Sequence, residues 1–119
     1  MNLPPADSDD DALSFAYEGP AALRQGIAAA LRTVFDPEVG LSIVELGLVY
    51  AVRVEASQCA VEMTMTSAAC PMGDLIVADV ERALAAVLPA ELPPRVALVW
   101  EPPWTPERMS DSARRAMGW

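Results

Sequence analysis

The residue with the clearest chemical potential is a cysteine placed directly before a proline. Cys70 follows an alternating apolar and polar run and precedes Pro71. Proline is favoured as the first residue of a helix, where its missing N–H would have had no partner. The sequence therefore predicts Cys70 at the N-cap of a helix, beside free backbone donors and the positive end of the helix dipole. That position stabilises a thiolate, which is the form that binds metal or attacks an electrophile.

Two other sets of polar residues could line the same site. Thr66 and Ser67 place hydroxyl groups just before Cys70. Earlier in the chain, a turn that contains proline and glycine carries two carboxylates, Asp36 and Glu38. Most acidic turns of this kind are simply solvated, so the spacing alone leaves the role of the two carboxylates open.

Histidine is absent from the 119 residues. Its absence excludes Ser-His-Asp and Cys-His catalysis, zinc motifs that contain histidine, and a histidine pH switch. Two cysteines are present, which does not indicate a disulfide framework. The second one, Cys59, shares one face of a predicted strand with Val61 and Met63, and we expect it to be a buried core thiol.

The charge and hydropathy of the chain limit its partners and location. The formal net charge is −9, and all eight cations are arginine. Because binding to a phosphate backbone relies on clustered cations, the balance argues against a nucleic-acid partner. No apolar run reaches the length of a membrane span, and the N-terminus lacks the features of a secretory signal. We therefore expect a cytoplasmic protein without a membrane segment.

The remaining pattern predicts a compact single domain of the α/β (α+β) class, with a small mixed sheet, two main helices and a short C-terminal helix. Residues 1–18 have few apolar positions, so we expect a disordered acidic tail before a domain over 19–119. Apolar periodicity predicts a helix over 20–35, a hairpin with strands over 49–55 and 58–66, a helix over 71–88 and a third strand over 95–100. A last helix is expected to begin at Pro106, with Thr105 as its cap, and to run to about residue 117. The second helix is expected to bury Met72, Ile76, Val80, Ala83, Leu84 and Val87. Residues 41–48 have no clear period.

Trp100 and Trp104 flank a proline-rich connector. Aromatic side chains fixed by prolines could form a platform that binds a partner. Packing at the edge of the core is the commoner role of such residues. Both interpretations are kept at this point.

Three motifs occur in a fixed order along the chain. They are Asp36-Pro37-Glu38-Val39-Gly40 followed by Ile43-Val44-Glu45-Leu46-Gly47-Leu48-Val49-Tyr50, then Met63-Thr64-Met65-Thr66-Ser67 leading to Cys70-Pro71, then Val99-Trp100-Glu101-Pro102-Pro103-Trp104-Thr105-Pro106. In this order and spacing, the chain resembles the MIP18 family of metal–sulfur cluster assembly factors, also known as domain of unknown function 59. The similarity covers about residues 20–119.

The resemblance implies a compact α/β domain that acts in iron–sulfur protein maturation. It also implies a functional pocket formed by Asp36, Glu38, Thr66, Ser67 and Cys70. The chain departs from the family pattern in that a serine stands where a second threonine is usual and two alanines replace a Pro-Gly-like turn before the cysteine. The hydroxyl is kept, whereas the shape of the turn is left open.

The number of ligands limits how a cluster could be held. A closed iron–sulfur or zinc site generally takes four ligands, often all cysteine, and one chain offers a single well-placed thiolate in Cys70. A homodimer could supply two such thiolates and share a labile iron–sulfur cluster between its subunits. The expected partners are iron–sulfur assembly proteins or client apoproteins.

Two other classes of function are consistent with the residues. The protein could be an adaptor without a cofactor, which binds assembly machinery or clients through Trp100 and Trp104. It could also be an enzyme in which Cys70 is a nucleophile beside Asp36 or Glu38, although the absence of histidine makes an activated pair harder to build. We rank cluster assembly first, the adaptor second and the enzyme third.

Overall fold

The computed structural model describes residues 15–66 and 73–118. A four-stranded mixed sheet in the order β1-β4-β5-β6 forms its centre, and a two-stranded ribbon of β2 and β3 lies apart from it. The elements, in chain order, are β1 (Ala16–Glu18), α1 (Ala21–Arg32), β2 (Phe35–Asp36), β3 (Leu41–Ser42), β4 (Val49–Val54), β5 (Cys59–Met63), α2 (Gly73–Ala85), β6 (Pro94–Leu98), a 3₁₀ helix (Pro106–Arg108) and α3 (Asp111–Met117). The predicted fold class is confirmed.

The hairpin of β4 and β5 provides the two central strands. They pair antiparallel, and Glu55 N–H donates to the Gln58 carbonyl across the turn at 2.8 Å. β6 pairs parallel to β5 on one side of the hairpin, and β1 pairs parallel to β4 on the other. Side chains alternate along β5, so that Cys59, Val61 and Met63 are fully buried while the residues between them are partly exposed.

Two helices contribute the other large part of the core. Ile27 and Leu31 of α1 are buried, and α2 buries Ile76 and Leu84 at the predicted helical spacing. The prediction for Val87 is wrong, because its side chain is 43% exposed. α2 ends at Ala85, and the chain then forms a turn. The helical period therefore no longer places the Val87 side chain on the buried face.

The N-terminal boundary differs from the prediction. Phe15 is buried and Ala16–Glu18 forms β1 against β4, so the expectation of a disordered tail through residue 18 is wrong for residues 15–18. The physical reason is that β1 is stabilised by backbone pairing with β4, a distant strand, rather than by a long apolar run of its own. The expectation for residues 1–14 lies outside the described residues.

The C-terminal helical region is divided into two pieces. The 3₁₀ helix begins at Pro106, but Thr105 makes no side-chain capping bond. The α-helix that follows is capped instead by Ser110, whose hydroxyl accepts a hydrogen bond from Ala113 N–H at 3.0 Å. Within residues 15–66 and 73–118, no helix is long and apolar enough to span a membrane.

Candidate functional site

The acidic turn uses its two carboxylates differently. Asp36 is 2% exposed, and its Oδ1 accepts a hydrogen bond from Glu38 N–H at 2.9 Å. Its backbone carbonyl accepts from Gly40 N–H at 2.7 Å and from Val39 N–H at 3.2 Å. Asp36 therefore satisfies the backbone donors of the turn, as an aspartate that starts a turn commonly does. The Glu38 side chain is exposed and remains available to solvent or to a ligand.

The strand that leads toward the cysteine motif ends next to the start of α2. Thr66 follows β5 and is exposed, whereas Met65, the residue before it, is buried. Gly73 is the first described residue of α2 and lies near Met65. A Cβ added to Gly73 would be in ordinary contact with the Met65 Cγ, at 4.0 Å. Ser67 and Cys70, and with them the predicted thiolate at a helix N-cap, lie outside the described residues.

A cavity of about 140 Å³ connects the acidic turn with the end of β5. The residues that line it come from four separate parts of the chain. They are Val39 of the acidic turn, Leu46, Thr66, and Trp104, Met109 and Met117 of the C-terminal segment. Val39 therefore places one residue of the acidic turn at the same cavity as Thr66, but neither Asp36 nor Glu38 lines it, and the five-residue pocket stays a prediction. The cavity is mainly apolar, and the Thr66 hydroxyl is its clearest polar group.

The C-terminal segment packs over residues 43–48 and forms one wall of this cavity. Trp104 Nε1 donates to the Leu46 carbonyl at 2.7 Å. The Ser110 hydroxyl donates to the Glu45 carboxylate, and Ser110 N–H donates to the Glu45 carbonyl at 2.9 Å. These contacts join residues that are 58 and 65 positions apart in the sequence.

The two tryptophans of the proline-rich connector lie in different environments. Trp104 is partly buried against the core and is hydrogen-bonded through its indole N–H, which matches packing at the core edge. Trp100 is 44% exposed. Of the two residues considered for partner binding, Trp100 has the more accessible side chain, and its role in binding stays a prediction.

Most of the apolar wall of the cavity could not be predicted from the sequence. Leu46 lies in the segment without a clear period, and Met109 lies between two short helices. Leu46 and Trp104 lie together because of a hydrogen bond between distant parts of the sequence, and no local sequence pattern indicates such a bond. The three-motif order was the available signal, since it includes both residues.

The described residues do not themselves form a metal site. In residues 15–66 and 73–118, no three His, Cys, Asp or Glu side chains cluster so as to hold a metal ion. Cys59 is fully buried as expected, and burial raises the pKa of its thiol, which disfavours the thiolate that a metal requires. Any thiolate ligand supplied by this chain would therefore have to be Cys70.

Comparison with known proteins agrees with the motif pattern. The sequence profile of a family described as "Iron-sulfur cluster assembly protein" matches residues 24–91, which include the acidic turn and Cys70. The Fe-S protein maturation auxiliary factor YitW of Bacillus subtilis is 45% identical over 98 residues, covering 82% of this chain and 95% of the relative. The Fe-S protein maturation auxiliary factor SufT of Staphylococcus aureus is 48% identical over 86 residues, covering 71% of this chain and 97% of the relative.

A solved structure shows the same fold. The domain of unknown function DUF59 from Bacillus anthracis superposes with a TM-score of 0.75 at 44% identity, covering 82% of this chain and 92% of that one. The match over more than half of the chain, together with these relatives, confirms the family that the three motifs predicted. This chain belongs to the iron–sulfur cluster assembly protein family, also known as DUF59.

Proposed function

We propose that this protein is an auxiliary factor in iron–sulfur protein maturation, which carries a labile cluster or supports its transfer to client apoproteins. One structural observation supports the proposal most directly. Val39 of the acidic turn and Thr66, which precedes Cys70 by four residues in the sequence, line one cavity. Relatives that cover most of this chain are named as Fe-S protein maturation auxiliary factors.

In this proposal the residues of the pocket have separate roles. Cys70 supplies a thiolate to the cluster, which is cargo rather than a resident cofactor. Asp36 keeps the acidic turn in shape through its hydrogen bond to Glu38 N–H, and Glu38 offers an exposed carboxylate at the same turn. Thr66 and Ser67 contribute hydroxyl groups near the cargo.

The small number of thiolates fits transfer better than storage. Protein-bound iron–sulfur clusters are usually held by four cysteine ligands. Cys59 is buried in the core, so one chain contributes at most one accessible thiolate by this account. Few protein ligands leave positions for a small thiol, a partner or a client. The proposed partners are accordingly assembly proteins or client apoproteins in the cytoplasm.

Anaerobic reconstitution with iron and sulfide tests the proposal. The wild-type protein is expected to gain visible absorption together with bound iron and sulfide, and Cys70→Ser is expected to lose both while keeping its fold. Cys59→Ala is the matched control, because it removes the buried thiol and should retain the absorption. Circular dichroism on each variant checks that the fold is intact.

Other outcomes would contradict cluster binding by Cys70. Equal iron and sulfide in wild type and Cys70→Ser would show that another group holds the metal. If neither protein binds a cluster, the adaptor function is favoured, and loss of client or assembly-protein binding in Trp100→Ala but not in Cys70→Ser would support it.

A further inference from the structure

An open groove lies between α1 and α2, separate from the cavity beside Thr66. Its volume is about 540 Å³. One wall is formed by residues 33–35, which follow α1, and the other by Asp79 and Arg82 of α2 together with Ala86 just after its end. We call it the Phe35 groove.

Large apolar side chains are exposed in and beside the Phe35 groove. Phe35, at its wall, is 52% exposed. Leu75 is 47% exposed and precedes Asp79 by four residues, so the two lie on the same side of α2. Val87 is 43% exposed and directly follows Ala86 of the groove. Exposed apolar groups gathered in one region mark an interaction surface more often than scattered ones do.

We propose that the Phe35 groove binds a second copy of this chain. A twofold interface uses the same patch on both subunits, so the patch must be complementary to itself. The shape of the patch meets that condition, because the exposed Phe35 ring lies beside the open groove, and the groove could receive the Phe35 ring of a second copy. It also meets the condition in charge, because Asp79 and Arg82 place opposite signs on the same wall.

The two charges are free to change partners. Within one copy, Arg82 and Asp79 form an ion pair of 2.6 Å, and the Arg82 side chain is 71% exposed. Such an exposed pair contributes little to the stability of a single chain. In the dimer, each Arg82 faces Asp79 of the partner subunit, and each Phe35 enters the partner's groove.

The location of the groove links the dimer to the proposed function. Phe35 directly precedes Asp36, so the interface lies next to the acidic turn. A second copy bound there adds a second Cys70 to a protein whose single chain supplies one candidate thiolate. This consequence rests on the proposed function, whereas self-association through the groove does not.

Sedimentation equilibrium of the protein without cluster, in the presence of a reductant, tests the dimer. The wild type is expected to approach twice the chain mass of 12.7 kDa as its concentration rises. Phe35→Ser should weaken dimerisation by about thirtyfold, as expected for the loss of a central aromatic contact. Cys70→Ser should still dimerise, which separates this test from the reconstitution experiment.

A mixing experiment identifies the occupant as a second copy. Arg82→Glu and Asp79→Arg each place like charges on both sides of the interface, so each variant alone should be monomeric. An equimolar mixture restores opposite charges and should form a one-to-one heterodimer. Arg95→Glu, the same charge reversal on the exposed part of β6, is the control and should dimerise like the wild type.

Three results would overturn the proposal. They are a wild-type protein that stays monomeric at every concentration, a Phe35→Ser variant as dimeric as the wild type, and a charge-reversal mixture that stays monomeric. The first would show that a second copy does not occupy the groove. The other two would show that any dimer forms through another surface.

Discussion

Cys59 shows how burial fixes the protonation state of one residue. Its side chain is fully buried among apolar residues, and burial raises the pKa of the thiol above its ordinary value of 9.0. As pH rises past the pKa of the unfolded chain, the unfolded state loses the Cys59 proton while the folded state keeps it. The free energy of unfolding should therefore be constant below that pKa and fall between it and the raised folded pKa.

Urea unfolding from about pH 8 to about pH 10 measures this effect. Cys59→Ala lowers stability at every pH because it leaves a cavity, but it should flatten the decline toward alkaline pH. The flattening includes a part that comes from Tyr17, because the pKa of Tyr17 is raised first by burial and second by the charge of Cys59. Parallel pH profiles for the two proteins would contradict the prediction.

The acidic turn marks the limit of what sequence shows about single residues. Alternation along β5 was sufficient to predict that Cys59 is buried. By contrast, Asp36 and Glu38 look equivalent in the sequence. In the structure, Asp36 accepts hydrogen bonds from backbone N–H groups of the turn, whereas the Glu38 side chain is exposed. The sequence could therefore identify the turn as a candidate site, but it could not assign different roles to the two carboxylates.

At the scale of elements, one glycine allows the C-terminal segment to pack over residues 43–48. Gly47 has φ of +73°, and an added Cβ would overlap the backbone carbonyl of Arg108 at the end of the 3₁₀ helix. Gly47→Ala should therefore combine backbone strain with displacement of this helix, and lower the free energy of unfolding by at least about 3 kcal/mol. Urea unfolding measures the loss.

Gly40→Ala is the matched control for this prediction. Gly40 also has a positive φ, +80°, but no atom lies within 4 Å of the position that an added Cβ would take. The substitution should cost only the strain of the left-handed conformation, about 1 kcal/mol. Equal losses in the two variants would mean that the close approach to Arg108 does not contribute.

Elements with a strong local period could be predicted, and those that depend on distant contacts could not. The hairpin and α2 follow directly from apolar spacing. The first strand and the position of the C-terminal segment depend on partners far away in the sequence. Glu18 pairs with Arg53, and Trp104 binds the Leu46 carbonyl. For the same reason the three motifs could be recognised in order, while the cavity that joins them could not be derived from any one of them.

At the scale of the whole molecule, the position of β1 decides where the domain begins. β1 is an edge strand, and the buried Phe15 precedes it. Deletion of residues 1–14 should leave the free energy of unfolding within about 0.5 kcal/mol of the full chain, because that segment is rich in Pro and Asp and has few apolar groups.

Deletion of residues 1–18 should have a much larger effect. It removes the pairing of β1 with β4 and the burial of Phe15, which together should cost about 3 kcal/mol. A Phe15→Ala substitution in the full chain separates the two contributions, because it removes the buried ring and leaves the strand. Urea unfolding of the three variants beside the full chain gives the comparison.

If both deletions were equally stable, β1 would not belong to the cooperative unit, and a domain starting at residue 19 would be the better description. If the shorter deletion already lost several kcal/mol, residues 1–14 would contribute to the fold despite their composition.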